Sequence, residues 1–159
     1  MTRAKHPIPA GYETITPMIT YQDTRKAIDW YKRALGAEEL HSSAGPDGKI
    51  LHAEIKIGSS RIMLHDEMHG SESALRLGGS PVALWAFVEN CDGLFDRAVA
   101  AGAKVLQPME DQFWGDRGGS LTDPFGIGWW IATHKEDLTP AEMKERQAEH
   151  AEQMASSSR

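Results

Sequence analysis

Asp123-Pro124-Phe125-Gly126-Ile127-Gly128-Trp129-Trp130-Ile131 is a tight turn that runs straight into a strand. Asp and Pro open the turn, Gly126 supplies a position free to be left-handed, and the aromatic and β-branched residues behind it favour an extended chain. Working outward from this stretch, the chain passes twice through one pattern. Thr16-Pro17-Met18-Ile19-Thr20-Tyr21-Gln22-Asp23 leads into a helical pattern stopping at Leu35-Gly36-Ala37, and Ala83-Leu84-Trp85-Ala86-Phe87-Val88-Glu89-Asn90 leads into one stopping at Ala101-Gly102-Ala103. A duplicated strand-helix unit is expected, with chemistry where the halves meet.

In the first copy, Glu13 to Tyr21 reads as a strand, and Asp23 caps a helix whose Ala27, Ile28, Tyr31 and Leu35 make one apolar stripe before Gly36. Trp30 and Tyr31 fall with that stripe as core. Glu38 to Ser43, a turn at Gly45-Pro46-Asp47-Gly48, and Lys49 to Ile57 read as a hairpin, followed by a strand from Arg61 to His65. Asp66 to Ser80 is polar and glycine-punctuated, which suits a crossover better than a packed element. The second copy reads as a strand Val82 to Val88, a helix from about Cys91 to Ala101 carrying Leu94, Phe95, Ala98 and Val99, and a strand Lys104 to Pro108. A glycine-flanked loop from Glu110 to Gly119 precedes strands at Ser120 to Thr122 and Gly128 to Thr133. Thr139-Pro140-Ala141-Glu142 signals a helix to about Met154 with an almost wholly charged face, solvated or bridging subunits.

The 159 residues suit one domain, and the 40% apolar content suits a globular core. No run approaches the roughly 18 apolar residues of a membrane helix, so no membrane partner is expected. Residues 1–9 carry charge without an apolar stretch before a cleavage site, which leaves the cytoplasm as the expected location. A net charge of -6 disfavours nucleic acid, which calls for a basic stripe. The single cysteine, Cys91, excludes an internal disulfide within the chain and reads as a structural thiol.

The order strand, helix, three strands, written twice, with Ala27-Ile28-Asp29-Trp30-Tyr31-Lys32-Arg33-Ala34-Leu35-Gly36-Ala37 and Asp123-Pro124-Phe125-Gly126, resembles the vicinal oxygen chelate superfamily of glyoxalases, bleomycin-resistance proteins and extradiol dioxygenases. Asp111-Gln112-Phe113-Trp114-Gly115-Asp116-Arg117 and Ala132-Thr133-His134-Lys135-Glu136-Asp137-Leu138 look like its PhnB-like, glyoxalase-like branch. The resemblance implies an α+β fold of two tandem βαβββ modules, about 12–66 and 81–134, whose strands curl into a cleft usually completed by a homodimer. One domain at 12–137 would follow a lead-in at 1–11 and precede a charged C-terminal helix and tail at 138–159. Metal-using relatives place four His, Glu or Gln ligands on the first and last strands of each module. The matching positions here are Thr16, Met63, Ala83 and Trp130, none a usual ligand for a divalent ion. The resemblance therefore implies the family's cleft without its metal, and no cofactor is expected.

Alternation along the strands then tells what shares the cleft face. Thr16 brings Met18 and Thr20; Ala83 brings Trp85 and Phe87; Met63 brings His65; Trp130 brings Ala132 and His134. Leu51, Ala53, Ile55 and Ile57 form a helix-covered face, which leaves His52 and Glu54 opposite. An aromatic cavity of this kind suits a flat apolar or cationic small molecule. Trp114, Asp116 and Arg117 stand in the loop where they could cover a ligand and clamp its carboxylate or phosphate, or Arg117 could tie back to Asp111 or Asp116. His52, Glu54 and His65 could meet across adjacent strands as a displaced metal site or an acid-base group, or serve as ordinary polar strand residues. Three readings stay open: a metal-free small-molecule binder using Trp85, Trp114 and Trp130, a lyase or isomerase working at His52, Glu54 and His65, and a protein whose cleft is filled by its own tryptophans.

Overall fold

In the computed structural model, which describes residues 4–157, the chain divides into two compact units, residues 1–80 and 81–159. The first unit begins with β1 (Met18–Tyr21), α1 (Thr24–Leu35), β2 (Glu38–Ala44), β3 (Ile50–Ile57) and β4 (Ser60–Asp66). Its sheet has the order β1-β4-β3-β2, with β1 parallel to β4 and the other pairs antiparallel. Asp23 caps α1 by accepting the amide of Lys26 at 3.0 Å, and Gly36 ends it at φ 67°, a left-handed angle that costs glycine nothing. Between these stops Ala27, Ile28, Trp30, Tyr31, Ala34 and Leu35 are buried, which makes α1 the wall over Ala53, Ile55, Ile62 and Leu64 of the sheet. Burial on that scale contributes about 1.5–3 kcal/mol per large side chain. The Asp66 carboxylate ties the helix start to the sheet, accepting the amides of Thr24 and Ile50 at 2.7 Å each.

Three readings of this unit are corrected. The first strand starts at Met18 rather than Glu13, because Pro17 has no N–H to give the ladder; only its carbonyl pairs, with the amide of Met63 at 2.9 Å. Leu51 is exposed and Ile50 buried, the reverse of the expected parity. The ladder steps from Ser43↔His52 to Ala44↔Ile50, and the bulge at Leu51 turns the strand over by one residue. The polar crossover also contains a packed element, α2 (Ala74–Leu77), capped by Ser73 and ended by Gly78 at φ 81°. Glu67 organises it by accepting from the Ser73 hydroxyl at 2.6 Å, the Ser73 amide at 3.1 Å and Arg76 Nε at 2.9 Å. Arg76 first and then Ser73 hold the Glu67 carboxyl down at about 2.

The second unit repeats the plan with β5 (Ala83–Phe87), α3 (Cys91–Ala100), β6 (Lys104–Asp111), β7 (Asp116–Thr122) and β8 (Gly128–His134), followed by α4 (Pro140–Ser157). The sheet order is β5-β8-β7-β6, again with the first pair parallel. Asn90 caps α3 through the amide of Gly93 at 2.9 Å, and Cys91, Phe95 and Ala98 face inward while Val99 is exposed. Both modules thus show the expected α+β, βαβββ plan, and the expected C-terminal helix is present. That helix opens on a capping box in which Glu142 accepts the Thr139 amide at 2.8 Å and Thr139 accepts the Glu142 amide at 3.3 Å. None of its described residues is buried. No described helix is long and apolar enough to cross a membrane.

The expected loop from Glu110 to Gly119 is the main correction in this unit. β6 runs on to Asp111 and β7 starts at Asp116, so the connection is residues 112–115 alone. Gly118 and Gly119 are strand glycines. A Cβ on Gly118 would lie 2.7 Å from Nε1 of Trp130, and one on Gly119 would lie 3.0 Å from both Phe95 Cε2 and the Gln107 carbonyl. They serve close approach of side chains to the strand rather than a turn.

Candidate functional site

The parallel pairing of β5 with β8 puts Trp85 directly beside Trp130, and alternation sets Phe87 on the same face. The two indoles stack, with ring centroids 4.9 Å apart and planes 28° apart. Phe87 continues the row at 6.0 Å from Trp85. Trp114, from the connection between β6 and β7, stands 5.9 Å from Trp130 and 6.4 Å from Trp85. Trp85 is 50% exposed and Phe87 63% exposed, so this aromatic face is open on one side. Its geometry, offset stacking between rings with a free outer surface, is one that a further aromatic or cationic group can extend. The indole N–H of Trp130 is buried without an acceptor among the described residues, so stacking and the glycine at 118 seat this ring rather than a hydrogen bond.

Trp114 is held in place from behind. Its Nε1–H donates to Oδ2 of Asp116 at 2.8 Å, and Oδ1 of Asp116 accepts from Nδ1 of His134 at 2.7 Å, across the ladder pair Asp116↔His134. His134 Nε2 meets Asp137 at 3.0 Å, and the hydrogen bonds to Asp137 and then Asp116 raise its pKa above the ordinary histidine value. The loop backbone is pinned by the amides of Lys135 and Glu136, which donate to the Gly115 carbonyl at 2.9 and 3.0 Å. Phe113 stacks on His150 of α4 at 4.9 Å.

Arg117 ties back to the protein rather than standing ready as a clamp. Its Nε and Nη2 donate to Asp92 at 2.8 and 2.7 Å, and its Nη1 donates to Asp111 at 3.2 Å. The fork that could hold a ligand is spent on α3 and β6. Asp111 is one of the two expected ties; Asp92 is not legible as a partner because it lies 25 positions away. Asp116 faces Trp114 and His134 rather than Arg117 or open space.

In the first unit, Glu54 on β3 pairs in register with Met63 on β4, and Thr20 on β1 pairs with His65. Glu54 accepts hydrogen bonds from the Tyr12 hydroxyl, from Nε2 of His52 at 3.1 Å and from Arg61 at 3.4 Å. Arg61 also lies over the Tyr12 ring, 4.6 Å from its centre. The Tyr12 bond, followed by that of His52, lowers the Glu54 pKa, and the same contact raises that of Tyr12. His65 belongs elsewhere: Nδ1–H donates to the Asp66 carbonyl at 2.8 Å, leaving Nε2 to accept from Thr20 at 3.1 Å. The expected trio is therefore a pair, His52 and Glu54, joined by Tyr12 and Arg61. Alternation from Met63 could have found Arg61; nothing in the local pattern points to Tyr12.

A divalent metal does not fit the positions that the resemblance assigns. Thr16 is half-buried ahead of β1, Met63 and Ala83 carry no nitrogen or charged oxygen donor, and Trp130 is committed to the stack with Trp85. Among the described residues no group of three His, Cys, Asp or Glu side chains is arranged to hold a metal ion.

Residues 14–131 match the family model described as the Glyoxalase/Bleomycin resistance protein/Dioxygenase superfamily. The chain belongs to that superfamily. An uncharacterized protein of Mycobacterium tuberculosis is 42% identical over 120 residues, covering 72% of this chain and 71% of its own. Among solved structures, TioX from Micromonospora sp. ML1 matches with a TM-score of 0.62 and 26% identity, over 80% of this chain and all (100%) of that one. A PhnB protein from Bacillus cereus matches with a TM-score of 0.60 over 76% of this chain and 99% of that one; at 17% identity this shows the shared fold alone.

Proposed function

We propose that the protein binds a flat aromatic or apolar small molecule, neutral or cationic, on the face made by Trp85, Trp130, Trp114 and Phe87, without a metal. The observation that carries this reading is the open row of stacked rings on β5 and β8. Membership of a superfamily that includes bleomycin-resistance proteins supports sequestration as its purpose. A homodimer is part of the same reading, because Met18 on β1 and Val105 and Leu106 on β6 leave exposed apolar area on an edge strand of each sheet. The test is tryptophan quenching of the full chain by proflavine, a flat aromatic cation. Saturable quenching insensitive to a chelator is expected, weakened about tenfold by Trp85→Ala if stacking on that ring contributes about 1–1.5 kcal/mol. Absence of saturable quenching by proflavine and by a neutral aromatic such as 4-methylumbelliferone would refute it, and sedimentation velocity tests the dimer.

The enzyme reading, a lyase or isomerase acting at His52, Glu54 and His65, is favoured in part by one observation: Glu54 gathers Tyr12, His52 and Arg61 in a single hydrogen-bonded group. It narrows to Tyr12, His52 and Glu54, with His65 engaged separately. Turnover of an α-oxoaldehyde–thiol adduct that disappears in Glu54→Gln would establish it over simple binding.

A further inference from the structure

The Asp116 carboxylate is 6% exposed and has both oxygens committed, one to the indole N–H of Trp114 at 2.8 Å and the other to Nδ1 of His134 at 2.7 Å. The opposite nitrogen of that imidazole meets a second carboxylate, Asp137, at 3.0 Å. A neutral imidazole has a single N–H, so it can serve both carboxylates only as the imidazolium. A charge-assisted bond is roughly twice as strong as a neutral one, so the imidazolium holds Asp116 more firmly than the neutral ring, whose one N–H serves a single carboxylate. The backbone around the loop does not depend on it, being tied separately through the Gly115 carbonyl and through the Gln112 amide, which donates to the Asp116 carbonyl at 2.7 Å. What the proton strengthens is the support behind the Trp114 side chain.

We propose that Asp116 and His134 are positioning residues for Trp114: the His134 imidazolium fixes the Asp116 carboxylate, the carboxylate fixes the indole, and loss of the proton weakens this hold and loosens one wall of the aromatic face. This rests on the ligand reading given above and adds to it a dependence of binding on pH.

The charged groups around His134 agree with that direction. Asp116 faces it from β7 and Asp137 from the segment after β8. Asp111, Arg117, Lys135 and Glu136 line an open depression of about 480 Å³ that Asp116 also borders. There Arg117 is paired with Asp92 and Asp111, and Glu136 with Arg146 of α4, while Lys135 adds a positive charge. Both groups in direct contact with the imidazole are acidic, and the His134 pKa is raised above 6.5. A raised value means that the clamp is at full strength below the ordinary histidine range and weakens as pH rises through the folded-state pKa.

The experiment uses the full chain with 5-fluorotryptophan at its 5 tryptophans, the Trp114 resonance being assigned by Trp114→Phe. The ¹⁹F signal of Trp114 is expected to titrate with a midpoint above 6.5, and proflavine affinity is expected to fall about three- to tenfold over the same interval. His134→Gln, at a half-exposed ring near a strand end, should abolish the titration, and Asp116→Asn, which keeps an acceptor for Trp114 without the charge, should flatten it. A Trp114 signal that ignores pH, or titrates unchanged in both variants, overturns the proposal even if proflavine binds through Trp85. A titrating Trp114 with no binding of proflavine or of 4-methylumbelliferone supports the positioning role and defeats the ligand reading instead.

Discussion

Replacing Asp123 by alanine should remove the support of the turn that opens β8. Asp123 is 4% exposed; its Oδ1 accepts the amides of Phe125 at 2.9 Å and Ile127 at 3.0 Å, and its Oδ2 accepts the indole N–H of Trp129 at 3.0 Å. Ile127 and Trp129 are 5% and 4% exposed, so water cannot easily replace the lost acceptor at either. A buried donor left unsatisfied costs about 1–3 kcal/mol, and bonds to a charged acceptor lie toward the upper end. Two such donors, with a smaller contribution from the part-exposed Phe125 amide, give a loss of about 4–5 kcal/mol, a large share of the roughly 5–15 kcal/mol that holds a domain folded. With a urea slope of about 2 kcal/mol per molar, the unfolding midpoint should fall by about 2 M. Asp123→Asn should cost about half as much, since its carbonyl still accepts the two backbone amides while its NH₂ group opposes the Trp129 N–H. Equilibrium urea unfolding followed by tryptophan emission measures both. A loss below about 1 kcal/mol for Asp123→Ala, or a larger loss for Asn than for Ala, would refute the account of the turn.

Gly118→Ala should destabilise by about 1–3 kcal/mol and change the near-ultraviolet circular dichroism of the tryptophans, because the new methyl would meet Trp130 Nε1 at 2.7 Å and the Ala132 methyl at 3.1 Å; unchanged stability and spectrum would contradict the close approach. Tyr12→Phe should move the Glu54 titration upward, since the Tyr12 hydroxyl is the largest influence lowering it. A depressed carboxylate stabilises the fold above its unfolded pKa and ceases to do so as pH falls through its folded one, so the variant should also lose less stability on acidification. Carboxyl ¹³C titration reads the first effect, and an unmoved Glu54 midpoint defeats it. Glu67→Gln should loosen residues 66–80 by weakening the hold on Ser73 and Arg76, read as faster amide exchange there with α1 unaffected; equal exchange in variant and wild type would show that α2 stands without it.

What was legible in the sequence was whatever repeats at short range. The Asp23 and Thr139 caps, the Gly36 stop and the apolar stripe of α1 are each set within a few residues of chain, and the structure reproduces them. The bulge at Leu51, the strand character of Gly118 and Gly119, and the Glu67 tie to α2 depend on what arrives from another element, and a one-dimensional pattern does not record that. The site shows the same division. Alternation found Trp85, Phe87 and Trp130 on one face because strand parity is local, whereas Tyr12 reaches Glu54 across 42 positions of sequence.

The turn at Asp123 connects these levels. Its carboxylate holds the Trp129 indole on the buried side of β8, and the pleat then sends Trp130 to the opposite side, where it stacks on Trp85. One turn thus decides both which indole enters the core and which one joins the aromatic face. A slip by one residue would exchange the faces of Trp129 and Trp130 and take the Trp129 N–H away from its Asp123 acceptor. The Asp123 bond to Trp129 opposes that slip, so the residue that marks the family's turn also keeps the aromatic face in register.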